Sequence, residues 1–274
     1  MDYEICRVFE RSTVEDYVSL FRAAYGQQNK LTGSYLSWLY LKNPHGRVVG
    51  FDAYLNGELA AHYATVPRLY RLDGEDVPAV LSVNTATHPD HQRRRLFSQL
   101  AEATYSWAAK EGYKFVLGVA NAQSIHGFVS KLGFVHLGQV GLALGRVPMP
   151  PPPDHAHLTL SASWLEWRMS NPASTYFITE AGQDRATVNT RRGRAVFSLG
   201  SVCRSILPDN LEVASKRRFR GIATLAPIFP KRGIGPFLPQ KLMPSPWHVI
   251  FRPLASDMRL TPRVHLDGLA MDTF

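Results

Sequence analysis

The chain has 274 residues, 45% hydrophobic and 11% aromatic, enough to bury a sizeable core as one large domain or two smaller ones. Its formal charge of +9 invites a phosphate-rich partner. No zinc-finger spacing, RNP-like aromatic run or helix-turn-helix accompanies that charge, so the expected partners are small phosphorylated molecules and not nucleic acid. No apolar run approaches the length of a membrane span, no apolar segment follows Met1, and Cys6 and Cys203 offer neither metal-ligand spacing nor a disulfide framework. A cytoplasmic, metal-free protein without membrane insertion is expected.

In chain order, residues 36–44 read as a short aromatic helix stopped by Pro44, with Trp38, Tyr40 and, further on, Phe51 as core or as the lining of a pocket. Strands over 48–55 and 59–66 flank Asn56-Gly57, a strong two-residue hairpin turn, and a further pair, 69–72 and 77–84, flanks Asp73-Gly74-Glu75-Asp76. The chain then runs through a strand ending at Thr87 and a tight turn into a helix, where Leu96, Leu100, Ala103 and Trp107 recur at helical spacing and Gly112 ends the pattern. A helix start offers unpaired N–H groups and the positive end of a dipole, and Arg93, Arg94 and Arg95 add charge, so a phosphate belongs there. Residues 114–120 suit a buried strand. Asn121 to Ser124 can open a second helix over 125–132, with Ser124 as its cap, and Gly133 closes it before a strand at 134–137.

The run Val147-Pro148-Met149-Pro150-Pro151-Pro152-Pro153 favours an extended linker, which predicts a first domain over 1–146, a linker over 147–155 and a second domain over 156–274. Residues 164–172 read like 36–44, with the tryptophans one residue out of register, and each copy leads into a strand, 48–55 in the first and 176–180 in the second. This predicts a duplicated unit. The second copy has no equivalent of the arginine turn; strands at 185–189 and 194–199 pair across Thr190-Arg191-Arg192-Gly193, and further strands fall at 222–228, 247–252 and 264–269. The remaining basic clusters, Arg191-Arg192-Gly193-Arg194 and Lys216-Arg217-Arg218-Phe219-Arg220, read as solvated faces, or as sites for further phosphates of a nucleotide-linked substrate.

Residues 80–137 resemble the GNAT superfamily of acyl-CoA-dependent N-acyltransferases. The resemblance rests on Thr87-x-Pro89, on Gln92-Arg93-Arg94-Arg95-Leu96-Phe97 in place of the family's Gln/Arg-x-x-Gly-x-Gly/Ala loop, and on Asn121-x-x-Ser124-x-x-x-Phe128-x-x-x-x-Gly133-Phe134. It implies an α/β fold with a mixed, mainly antiparallel sheet flanked by helices, here followed by a second, degenerate GNAT-like unit that shapes the acceptor pocket or holds a homodimer. It also implies acyl-CoA as cosubstrate, with Gln92 to Phe97 on the pyrophosphate, the backbone near Thr87 on the acyl carbonyl and pantetheine, and Asn121, Ser124 and Phe128 completing the site. Arg95 stands where the family has glycine, and Phe128 where it has a tyrosine that protonates the departing thiolate.

For the proton of the acceptor amine the sequence offers His62, His88 and His126, with Asn84 as an orienting group on the strand entering the site. No carboxylate base stands at the Thr87 strand end, which favours a weakly basic amine. The two-unit pattern resembles bacterial N-acyltransferases acting on nucleotide-linked amino sugars for surface polysaccharides, which implies that acceptor class. Two alternatives stay open: acylation of another small-molecule amine, and a binding protein that keeps the fold without turnover.

Overall fold

The computed structural model describes residues 2–145, 150–180, 183–209, 211, 213–214, 223–231, 236–243, 245–255, 258 and 262–271. β1 (Glu4–Arg7) leads to α1 (Val14–Tyr25), which starts at a capping box: the Asp16 amide donates to Thr13 Oγ1 (3.4 Å) and the Thr13 amide to Asp16 Oδ2 (2.7 Å). α2 (Gly33–Leu41) is capped by Thr32 and ends ahead of Asn43-Pro44. β2 (Val49–Leu55) turns through Asn56 and Gly57, both at positive φ (52° and 84°), into β3 (Glu58–Leu72). β3 is one long strand where the sequence suggested two. Pro67 is tolerated inside it because pairing with β2 stops at Thr65 and the next partner on the chain begins only at Tyr70, so its missing N–H breaks no ladder. Asp73 and Gly74 alone form the next turn, at φ 51° and 85°, into β4 (Glu75–Thr87).

A 3₁₀ turn at Pro89–His91 precedes α3 (Leu96–Lys110), whose buried face is Leu96, Leu100, Ala101, Thr104, Tyr105 and Ala108. The expected stripe through Ala103 and Trp107 is rotated: Trp107 is half-buried with the Arg7 guanidinium over its ring. β5 (Phe115–Ala120), α4 (Ile125–Lys131) and β6 (Val135–Gln139) follow as expected. β7 (Gly141–Leu144) precedes the proline run, of which Val147, Pro148 and Met149 lie outside the described residues. The run ends in a turn closed by the His155 amide on the Pro152 carbonyl. Then come β8 (His157–Leu158), α5 (Ala162–Met169), β9 (Tyr176–Glu180), β10 (Arg185–Arg192), β11 (Ala195–Cys203), β12 (Ala223–Phe229), β13 (His248–Pro253) and β14 (Leu266–Asp267). The β10–β11 turn is Gly193-Arg194, tighter and later than expected, with Gly193 at φ 56°.

Two sheets result. The first runs β1-β2-β3-β4-β5-β13-β6 with β8 added on β3, and the second β14-β12-β11-β10-β9 with β7 added on β12. Strands therefore cross the proline run in both directions. β13 inserts between β5 and β6, pairing Val249 with Val119 and Ile250 with His136, while β7 pairs Ala143 with Ala226 in the second sheet. A cut into 1–146 and 156–274 does not coincide with the division into sheets, because each sheet takes a strand from the other side of the prolines. One core packs α3 and α4 on the first sheet through Leu100, Tyr105, Phe128 and Ile250; the larger one joins α1, α2 and α5 to both sheets.

The two aromatic helices meet. Trp38 and Trp167 stack at 4.5 Å and 8°, and their indoles exchange hydrogen bonds, Trp38 Nε1 to Trp167 O (2.7 Å) and Trp167 Nε1 to Trp38 O (3.0 Å). Both lie six residues after the N-cap, Thr32 or Ser161, and both helices lead to an Asn-Pro whose asparagine Oδ1 accepts an amide two residues on. α2 has nine residues and α5 eight, so the extra residue lies beyond the tryptophan, which explains the offset in sequence.

β4 and β5 run parallel and pair only over Val80–Ser82 with Val116–Gly118, then splay. β11 and β12 are also parallel, paired over Ala195–Phe197 with Ala223–Leu225. Beyond that point the chain's own C-terminal segment fills the split: β14 pairs with Ile228 and Phe229, the Leu269 amide donates to Leu199 O (3.2 Å), and a Cβ on Gly268 would touch both Leu199 and Pro227. The first split stays open.

Candidate active site

The open split is a cleft of about 760 Å³. Its entry strand is bulged. Tyr63 faces Thr85 and Thr65 faces Ser82, so Val83 and Asn84 together oppose the single Ala64. One rim is made by α3 and α4 through Gln92, Phe97, Gln123 and Phe128, and the other by the end of α1 through Ala24 and Tyr25. The Tyr25 hydroxyl donates to Thr85 O, tying that helix end to the bulge. Ser245 and Trp247, brought in by the insertion of β13, complete the wall. No local sequence signal marks Trp247 or Tyr25 as cleft residues, since strand insertion places one and helix packing the other.

The resemblance-derived cofactor residues converge here. Thr87, Gln92, Phe97, Asn121, Ser124 and Phe128 line the cleft. Arg93, Arg94 and Arg95 form an exposed rim, and Leu96 is buried beneath them. Arg95 adopts the left-handed conformation of the glycine it replaces, φ 63° and ψ 12°, and Arg93 is at φ 62°. The loop thus has the backbone path that glycine would permit, with the guanidinium on the surface. Arg95 is the N-cap of α3 and makes no side-chain cap bond, so the amides of the first turn are left for an anion.

Phe97 is a third departure from the quoted loop pattern, visible once Gln92 is set as its first residue. The pattern's final glycine or alanine is here a ring packed edge-on to Phe128 at 5.3 Å, and Gly127 admits it, since a Cβ there would lie 3.3 Å from Phe97 Cε1. Ser124 stands at the N-cap of α4 but makes no side-chain cap bond. Its hydroxyl bonds back to Asn121, whose Oδ1 also accepts the amides of Gln123 (3.0 Å) and Ser124 (2.9 Å), so Asn121 closes the turn by which β5 leaves the cleft.

The candidate bases do not reach the cleft. His126 is exposed on α4 and outside the lining. His88 caps the 3₁₀ turn, its Nδ1 accepting the Asp90 amide at 3.4 Å. His62 is fully buried between Asp52 and Tyr40. Asn84 sits in the bulge with its amide on Tyr40. Among the described lining residues there is no Asp, Glu, His, Lys or Arg. The basic residues Arg191, Arg192 and Arg194 are exposed and do not line the cleft, and Lys216 to Arg220 lie outside the described residues. Among the described residues no group of His, Cys, Asp and Glu could hold a metal ion, no helix is long and apolar enough to cross a membrane, and both cysteines are free.

Residues 6–136 match the family profile of an acetyltransferase (GNAT) domain. Over its length the chain is similar to GCN5-related N-acetyltransferases from Kribbella flavida (TM-score 0.63, 12% identity, 95% of this chain and 74% of that one) and Anabaena variabilis (0.61, 12%, 96% and 75%). It is also similar to a probable N-acyltransferase from Enterococcus faecalis (0.58, 9%, 93% and 73%). At these identities the likeness is one of fold, and it covers both sheets. No curated protein matches the chain. Residues 6–136, just under half of the chain, thus match a GNAT acetyltransferase domain, and over the whole chain the likeness is one of GNAT-type fold.

Proposed function

We propose that the protein moves an acyl group from acyl-CoA to a weakly basic primary amine by direct attack in the β4–β5 cleft. The thioester enters from the α3 side, with its pyrophosphate on the first turn of α3 and the Arg93 to Arg95 rim. The amine enters from the α1 side. Its nitrogen attacks the thioester carbonyl carbon, the C–N bond forms, the C–S bond breaks, and the thiolate leaves and takes up the proton that the nitrogen gives up. The products are an amide and free coenzyme A. A thiol of pKa near 8.5 leaves readily, so Phe128 in place of a general acid is compatible with turnover.

The observation that carries this reading is a cleft without a charged lining residue among the described residues. With neither a carboxylate to hold a polycation nor a side chain to act as base, the acceptor must arrive as a free amine, which favours the amino group of a sugar over a lysine side chain or an aminoglycoside. A nucleotide-linked amino sugar, acylated in the cytoplasm for a surface polysaccharide, is the favoured substrate, with Tyr25 and Trp247 as aromatic surfaces for its base. Measuring the rise in Tm with acetyl-CoA, a longer hydroxyacyl-CoA and free coenzyme A ranks the donors. Thiol release is then followed with nucleotide-linked amino sugars, an aminoglycoside and a lysine ester. Fastest release with an amino sugar supports the assignment. Fastest release with the aminoglycoside transfers it to polycations, and no release with any amine leaves a binding protein.

A further inference from the structure

A chain of hydrogen bonds runs from the larger core to the β4 bulge. The Tyr17 hydroxyl donates to Asp52 Oδ2 (2.7 Å), His62 Nδ1 lies 2.7 Å from Asp52 Oδ1, His62 Nε2 lies 2.9 Å from the Tyr40 oxygen, and Asn84 Nδ2 donates to that oxygen at 2.9 Å. Asp52, His62, Tyr40 and Tyr17 are completely buried. The order of donors follows from the inventory of hydrogens. The Asp52 carboxylate accepts the Tyr17 hydrogen on Oδ2 and a ring hydrogen from His62 Nδ1 on Oδ1; with the single ring hydrogen so placed, His62 Nε2 accepts the one Tyr40 hydrogen, and the Tyr40 oxygen is left to accept from the Asn84 amide. Burial raises the Tyr40 pKa well above its ordinary value, so that hydroxyl keeps its hydrogen.

A buried carboxylate and imidazole are costly to desolvate, and apolar side chains would hold β2 against β3 as well. What the polar chain alone provides is the orientation of the Asn84 carboxamide, its NH₂ turned inward and its Oδ1 outward. That oxygen has no hydrogen-bond partner among the described residues, and Asn84 is only half-buried. Asn84 is not itself among the cleft's lining residues; it stands between Val83 and Thr85, which are, on the side of the sheet where α1 and α2 pack and Tyr25 forms the rim.

We propose that Asn84 Oδ1 takes a hydrogen bond from the N–H of the acceptor amine and so aims the nitrogen lone pair at the thioester carbonyl. Tyr40, His62 and Asp52 are positioning residues that act through it. A reversed amide would turn its own N–H toward the amine and repel it; the buried chain forbids that reversal. This assignment rests on the acyl-transfer reading above.

The test follows release of coenzyme A from acetyl-CoA with hydroxylamine and D-glucosamine as probe amines. Asn84→Leu, of similar volume without an acceptor, lowers kcat by about tenfold or more while the KM for acetyl-CoA and the Tm rise with acetyl-CoA stay at wild-type values. Asn84→Asp, which keeps an acceptor oxygen, recovers most of the rate. Tyr40→Phe lowers kcat comparably, and the Asn84→Leu/Tyr40→Phe double variant is no slower than Asn84→Leu alone, since Tyr40 acts through Asn84. Wild-type turnover by Asn84→Leu, a loss confined to acetyl-CoA binding, or losses that multiply in the double variant would overturn the inference alone. If the wild type binds acetyl-CoA but releases no thiol with either amine, the acyl-transfer reading falls and this inference with it. Because Asn84 is half-buried, its two variants decide the matter even if Tyr40→Phe does not fold.

Discussion

Arg95 holds a left-handed backbone at a cost of about 1–2 kcal/mol relative to glycine. Since the path is already that of the glycine loop, Arg95→Gly is expected to keep the acetyl-CoA Kd within about threefold, charge loss offsetting relief of strain. Arg95→Pro, locked near φ −65°, cannot adopt the loop and should abolish binding, as titration calorimetry would read. His126 is exposed and outside the lining, so His126→Ala should leave kcat/KM within about threefold. A fall of 10²-fold or more would restore it as general base.

At the scale of elements, the reciprocal indole bonds of α2 and α5 replace water on two buried carbonyls. Trp38→Phe keeps most of the stack and removes one donor from Trp167 O, which retains the Ser170 amide and hydroxyl, and should lower the unfolding free energy by about 0.5–1.5 kcal/mol in a denaturant titration. The C-terminal wedge carries its own titration. Burial pushes the Asp267 carboxyl up to about 6, against the Leu269 and Ala270 amides that donate to its Oδ1. With the folded pKa above the unfolded one, the folded state holds the proton more tightly, so this group's contribution is full below about pH 4 and is lost as pH rises through about 6. Asp267→Asn does not titrate and keeps the accepting oxygen. Its stability should exceed that of the wild type at pH 8 by up to about 3 kcal/mol, with the gap closing toward pH 4. His265, which burial lowers to about 4, works in the opposite sense over the same range, losing stability as pH falls below about 6.5. The comparison of variant with wild type cancels it.

At the scale of the molecule, each sheet is completed by a strand from beyond the prolines. A fragment ending at residue 146 lacks β13 between β5 and β6, and a fragment from 156 lacks β7. Neither is expected to give a cooperative melting transition alone, whereas the two produced together should assemble and bind acetyl-CoA. Independent folding of the first fragment would establish the division at the proline run as a true domain boundary. The exchange also brings a residue from beyond the prolines to the cleft: Trp247 reaches it because β13 is held there on both edges.

The sequence by itself determined what short-range physics controls. Helix periodicity, the Asn56-Gly57 turn and the strand–turn–helix around Thr87 and Gln92 to Phe97 follow from neighbours a few residues apart, so the order of elements from α2 to β6 and the residues of the α3–α4 face of the cleft were legible in it, whereas β1, α1, β7 and β8 were not read. The likeness of 36–44 to 164–172 was legible too, though not that the two tryptophans stack on each other. Tertiary structure alone decided which strands pair across the prolines, that residues 264–271 close the second split while the first stays open, and that His62, an ordinary candidate base in sequence, lies buried beneath Asn84. Those outcomes depend on contacts between residues as far apart as Phe115 and Pro253, whose register is set by burial and hydrogen-bond satisfaction over whole sheets, and no local pattern records them.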